Sequence, residues 1–206
     1  FGGIVTNLSR ELELAQVRVM KGARVDQSVV DAEKPDAVVI ATGARPYLPE
    51  IPDDGSVQVV DAWQVLRKQV KTGSRTVVAD WRCDWIGPGI AEMLVNDGCS
   101  VELAVNGTHP GELLPLYVRD NIAAELHRLG VAVTPYARLF GWDGGTVYMQ
   151  HTASEQPIMF ENVDTLVLCL GHEPVSELSD MLAGKVPELY VIGDSMAPRT
   201  AEEAVY

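Results

Sequence analysis

Apolar residues recur along this chain with two periods, and the alternation between them outlines the elements. Ile4, Val5, Leu8 and Leu12 share one helical face, which predicts a helix over 4–15. A strand at 17–20 and a short helix at 27–33 follow. Asp36-Ala-Val-Val-Ile-Ala-Thr-Gly43 is an apolar run closed by a small-residue turn, the pattern of a buried parallel strand over 36–41. Residues 44–55 hold three prolines and no periodicity, so they read as a linker. Strand 57–60 leads into a helix that Asp61 can cap, with Gln64 completing a capping box. Strand 76–80, helix 87–97 and strand 100–105 come next. A helix near 116–129 carries Val118, Ile122, Leu126 and Leu129 on one stripe, ahead of strand 131–136. TVYMQHTASEQPIMF then reads as two strands around a polar turn. Buried strands ending on glycine or aspartate are predicted at 164–171 and 188–194. Strands alternating with helices imply an α/β fold with a mostly parallel, Rossmann-like sheet and flanking helices. The helical face near residue 4, and a helix start at Thr200 with Glu203 three positions on, suggest that both ends were cut from something longer.

The stretch TVVADWRCDWIGPGIAEMLVNDGCSVELAV raises the question of chemistry. A dinucleotide-binding strand–helix–strand unit needs two glycines where backbone approaches the pyrophosphate. A third glycine lets helix pack on strand, and an acidic residue ending the second strand holds the ribose. Counting back from Leu94 and Gly98, the third glycine is Gly87, and Ala91, Leu94, Gly98 and Val101 fill the packing positions. The first two glycine positions fall on Arg82 and Asp84, and the ribose position falls on Val105. A carboxylate at 84 would repel a pyrophosphate and block close approach, and a valine offers a ribose nothing. The packing half of the pattern holds and the ligand half fails, so NAD(P)H is not expected to bind here. Asp84 is instead placed to accept from the first amides of the following helix. Trp81 and Trp85 either fold over the crevice that a cofactor would occupy or pack against neighbouring loops. Arg82 is expected on the solvated surface, and His172 is read as a solvated turn residue.

Composition narrows the partners. A formal net charge of -13 leaves no basic stripe for nucleic acid or an anionic membrane. No apolar run is long enough to span a bilayer, and the first residues lack the plan of a signal peptide. Three scattered cysteines make neither a disulfide framework nor a metal site, so a cytoplasmic location is expected and no metal. Cys83 is read as a small packing residue rather than a redox thiol. The sequons at Asn7 and Asn106 are taken as chance matches. No catalytic set can be argued from spacing.

Three further phrases, ATGARP at 41–46, VLCLGHEP at 167–174 and VIGDSMAP at 191–198, complete a pattern with the unit between them. In order and spacing they resemble the C-terminal region of the old-yellow-enzyme-like flavin oxidoreductases. That family includes trimethylamine dehydrogenase, the N-methyl amino-acid demethylases and 2,4-dienoyl-CoA reductase. The resemblance implies a partial FAD-like domain at 1–46 and 174–206, interrupted by an NAD-like domain at 47–173 with a degenerate dinucleotide motif. It implies FAD or ADP in the FAD-like part, beside Thr42, Gly43, Gly193 and Asp194. Gly87 and Gly171, at the turns of the inserted unit, complete the candidate cofactor-binding residues. FMN and a four-iron cluster would belong to an upstream barrel domain absent from this sequence, as would the first glycine-rich loop of the FAD-like part. The parent would be a cytoplasmic homo-oligomer. The broken motif points to the amine dehydrogenase and demethylase branch, which passes electrons to an electron-transfer flavoprotein. An NAD(P)H-dependent flavin reductase and a non-catalytic scaffold binding an adenine nucleotide or a protein partner are the alternatives.

Overall fold

The computed structural model describes residues 2–199. Helix α1 (Gly2–Leu14) and helix α2 (Gln27–Glu33) precede strand β1 (Ala37–Ile40) and the short β2 (Ala44–Pro46). Then come β3 (Gln58–Asp61), α3 (Ala62–Leu66), β4 (Arg75–Asp80), α4 (Ile86–Asn96), β5 (Ser100–Val105), α5 (Leu116–Arg128) and β6 (Ala132–Thr134). A meander follows in β7 (Ala137–Asp143), β8 (Thr146–His151) and β9 (Pro157–Phe160). The chain returns through β10 (Thr165–Cys169), β11 (His172–Pro174), α6 (Glu177–Leu182) and β12 (Glu188–Val191) to a 3-10 turn at Gly193–Ser195.

Five parallel strands form the main sheet in the order β3-β10-β4-β5-β6. Side chains alternate across it. Val78, Leu103, Val167 and Cys169 face a core shared with α3, α4 and α5. Val77, Ala79, Leu166 and Leu168 face a second core under the β7-β8-β9 meander. Both faces are covered, which is why these strands are apolar at nearly every position. Local chemistry sets the ends of the helices. Asp61 and Gln64 make the reciprocal capping box on α3. Gly98 ends α4 in the left-handed region at φ +91°, so that the amides of Gly98 and Cys99 reach back to Val95 and Leu94.

A second, two-stranded sheet pairs β1 with β12 in parallel. Beside it, β2 and β11 pair antiparallel, so the chain leaves toward the main sheet and returns from it side by side. A small cluster of Val30, Ile40 and Leu182 packs under β1 and β12. Helix α1 buries none of its residues. Among the described residues, no helix is long and apolar enough to cross a membrane.

Several sequence-based expectations need correction. Residues 17–20 form no strand, because no neighbouring strand is there to take up their backbone hydrogen bonds. The linker at 44–55 contributes β2, since Ala44–Pro46 lies beside β11. Strand β7 did not stand out in the sequence. It carries Gly141 at a bulge and alternates buried with exposed residues irregularly. The helix start at Thr200 and Glu203 lies outside the described residues.

Candidate functional site

The carboxyl ends of β4, β5 and β10 open on the crevice where open α/β sheets bind ligands. Strand β4 ends on Asp80, a fully buried aspartate. Its Oδ1 accepts from the Cys83 amide at 2.9 Å, while its Oδ2 has no hydrogen-bond partner. Burial, with the nearby Asp84 charge adding to it, pushes the Asp80 carboxyl up to about 7 despite the Cys83 amide. Gly87 lies directly against it: a Cβ there would fall 2.4 Å from Asp80 Oδ2. The glycine therefore does serve close helix–strand approach, with the Asp80 carboxyl as its neighbour.

Cys83 follows in the left-handed region at φ 53°. Its Sγ accepts from the Gly107 amide at 3.3 Å, and its carbonyl accepts from Leu113 at 3.2 Å. The Asn106 amide donates to the Asp80 carbonyl at 2.9 Å. These bonds stitch the turn after β4 to the loop after β5. Burial, then the Asp80 charge, pushes the Cys83 thiol up to about 11, so it stays protonated and unreactive at neutral pH. Val105, at the ribose position, is fully buried.

Asp84 accepts from the Ile86 amide at 2.9 Å, so a side-chain carboxylate satisfies one of the first amides of α4. The same carboxylate lies 3.4 Å from Arg82 Nε. Arg82 is partly buried rather than fully solvated, its side chain 31% exposed. It crosses the crevice against Gly171, whose φ is +94° and where a Cβ would come within 2.8 Å of Arg82 Cδ. Its Nη1 donates to the Pro198 carbonyl at 3.4 Å. His172 is likewise half-buried rather than solvated. Its Nε2 accepts from the Trp63 indole at 3.0 Å, and the two rings lie 5.4 Å apart. Burial, and next the positive charge of Arg82, lower the His172 pKa, which favours the neutral acceptor form.

About 10 Å³ remains among Ala62, Arg82, Asp84, Cys169, Gly171 and His172. Ligand pockets run to roughly 300 Å³ or more, so a dinucleotide has no room unless Arg82 moves. Neither tryptophan closes the crevice. Trp81 packs edge-on to Tyr47 with ring centroids 6.4 Å apart. Trp85 turns away and lines a groove of about 540 Å³ between α4 and α5.

Thr42 and Gly43 follow β1, and Gly193 and Asp194 follow β12, so parallel pairing brings the four to one end of the small sheet. Thr42 Oγ1 donates to the Val175 carbonyl at 2.8 Å, and the Val175 amide donates to Gly43 at 3.0 Å. Gly193, at φ 59°, opens the 3-10 turn, and Asp194 Oδ1 accepts from the Arg199 amide at 3.3 Å. Gly87 and Gly171 meet at the other crevice, against Asp80 and Arg82. Asp80 left a trace in the sequence as a lone acid ending an apolar strand. The Arg82–Gly171 crossing joins residues 89 positions apart and left none.

This architecture is that of the FAD/NAD-like domains of flavoproteins. A histamine dehydrogenase from Rhizobium sp. 4-9 superposes with a TM-score of 0.80 at 19% identity, over 89% of this chain and 31% of that one. A 2-naphthoyl-CoA reductase superposes with the same score at 22% identity, over 96% and 29%. No protein-family model matches the chain. In sequence it is 32% identical over 123 residues to an N,N-dimethylglycine/sarcosine dehydrogenase of Chromohalobacter salexigens, covering 53% of this chain and 18% of that protein. It is 28% identical over 214 residues to a metal reductase of Desulforamulus reducens, covering 87% and 30%. It is 26% identical over 213 residues to a "probable N-methylproline demethylase" of Rhizobium meliloti, covering 88% and 31%. The chain thus spans between about a fifth and a third of the length of these relatives. The resemblance is to the FAD/NAD-like region of the flavin oxidoreductases that include trimethylamine dehydrogenase, the demethylases and the dienoyl-CoA reductases.

Proposed function

We propose that this chain is the nucleotide-domain portion of a larger flavin-dependent amine dehydrogenase or demethylase whose NAD-like unit has lost its pyridine-nucleotide role. In this reading, residues 1–46 and 174–206 belong to a FAD-like domain and 47–173 to the NAD-like insert. The FAD-like part holds FAD or ADP beside Thr42, Gly43, Gly193 and Asp194. FMN and a four-iron cluster belong to an upstream barrel. Electrons leave for an electron-transfer flavoprotein, and the parent is a cytoplasmic homo-oligomer. By itself the portion has no catalytic residues.

The observation that carries the reading is the plugged crevice: Arg82 lies across it against Gly171, and Asp84 takes the α4 amide. The sarcosine dehydrogenase and demethylase relatives favour an amine or N-methyl substrate for the parent. The metal reductase relative, matched over 87% of the chain, favours the alternative of a reductase, for which NAD(P)H would be the reductant. Calorimetric titration separates the two. NADH and NADPH are expected to bind no better than millimolar, about 4 kcal/mol of binding free energy or less. Micromolar binding of NADPH would overturn the plugged-site reading in favour of the reductase.

A further inference from the structure

We propose that Arg82 is a positioning residue for the Gly193–Asp194 turn: a latch thrown from the dead dinucleotide motif onto the segment that the FAD-like site uses. The inference rests on the plugged-site reading and extends it. Something must fill a crevice that has lost its ligand, but filling alone does not require a charged, planar, multiply donating group. Arg82 has three contacts with separate functions. Asp84 Oδ2 lies 3.4 Å from its Nε and aims the guanidinium. Gly171 has no side chain in the way, so the aliphatic stem can cross β10 at its end. The Pro198 carbonyl then accepts from Nη1 at 3.4 Å.

Pro198 belongs to a loop closed on itself. The Arg199 amide donates to Asp194 Oδ1 at 3.3 Å, and the amides of Met196 and Ala197 donate to the Gly193 carbonyl. The Ile192 amide donates to the Ile40 carbonyl at 3.0 Å, which ties the loop's near end to β1, and the Ser195 hydroxyl lies between the Ile192 and Ile40 carbonyls at 2.6 and 3.0 Å. The loop's far end is held from outside by Arg82. The bond is long, but its donor is charged, and it acts on the loop whose aspartate the FAD-like site would present to its nucleotide. Only a forked guanidinium can meet Asp84 and Pro198 together; a lysine ammonium reaches as a single point and a methionine reaches neither. Arg82 therefore joins the emptied site to the working one, and the order of residues 193–199 depends on its charge.

Hydrogen exchange in the whole chain tests this. Arg82→Ala is expected to speed exchange of the 193–199 amides by about tenfold or more, while amides of β4 and β10 stay protected. Free guanidinium at tens of millimolar should restore slow exchange in Arg82→Ala and change nothing in the parent protein. Arg82→Met, which fills the same volume without donors, should behave like Arg82→Ala. Arg82→Lys, which keeps the stem and the charge but not the fork, should loosen 193–199 to a lesser degree, and covers the case in which Arg82→Ala and Arg82→Met fold poorly. Wild-type exchange at 193–199 in Arg82→Met would show that the side chain is only a filler. Acceleration spread equally over β4 and β10 would overturn the proposal as well. This readout contains no nucleotide, so NADPH binding could defeat the plugged-site reading while the latch stood or fell on its own.

Discussion

Two apolar runs that look alike in the sequence, Ala37–Ile40 and Thr165–Cys169, meet different environments. Strand β10 has β3 on one side and β4 on the other, with helices above and the meander below, and all five of its residues are buried. Strand β1 has β12 as its neighbour in a two-stranded sheet, and Val39 is 57% exposed. Composition made both strands; the number of neighbours decided which became core. The same division runs through the α4 unit. Ala91, Leu94 and Val101 are buried where a working dinucleotide domain would bury them. The turn beside them pairs Asp80 with Cys83 and Arg82 with Asp84. Packing positions and ligand positions answer to different physics, so one set can keep its pattern where the other departs from it.

The largest effect expected on this comparison comes from Leu166→Ala in β10, a fully buried side chain. Urea unfolding should show a loss of about 2–5 kcal/mol from lost burial and the cavity left behind; a loss under 1 kcal/mol would mean that the strand is not core. Asp80 comes next, and its effect depends on pH. Its folded pKa of about 7 lies above the ordinary 3.8. Below about pH 4 the carboxyl is neutral in both states and costs nothing. As pH rises toward 7 the unfolded chain releases the proton while the folded one keeps it, so stability falls, and above 7 the loss is complete. Asp80→Asn should therefore gain on the parent protein between pH 4 and 8, by up to on the order of 4 kcal/mol. A pH-independent difference between the two would contradict the raised pKa. Asp61→Ala removes half the capping box of α3 and should cost about 1 kcal/mol in the same assay. Val39→Ala is the smallest, within about 0.5 kcal/mol for a side chain mostly in solvent. A loss in the Leu166 range would show that β1 is covered in solution.

Much of the fold was legible because local rules and burial agreed. The Asp61–Gln64 box, the Gly98 end of α4 and the continuous apolar runs of β4 and β10 each carry their signal within a few residues. Helix α1 was legible as a helix but not as an exposed one: Ile4, Val5, Leu8 and Leu12 make a proper face with nothing packed on it. Residues 17–20 failed for the converse reason, since β propensity without a partner strand makes no ladder. Within the site, the departure of Arg82, Asp84 and Val105 from the dinucleotide pattern was readable, and so was the approach of Asp84 to the helix amides. The identity of the plug was not. The tryptophans are the bulkier residues of the turn, yet the backbone directs Trp85 to the α4–α5 groove and Arg82 into the crevice.

The sequence by itself determined the elements, their order and the departure of residues 82, 84 and 105 from the dinucleotide pattern, because helical and strand periods, caps and residue identities are local properties of the chain. Tertiary structure alone decided that Asp80 is buried with one oxygen unpartnered, that Cys83 ties the turn to the loop at Gly107, and that Arg82 passes Gly171 to reach Pro198. Those contacts join segments tens of residues apart. The path of an arginine side chain depends on which backbone lies beside it, and that is settled when β4 and β10 pair at the centre of the sheet.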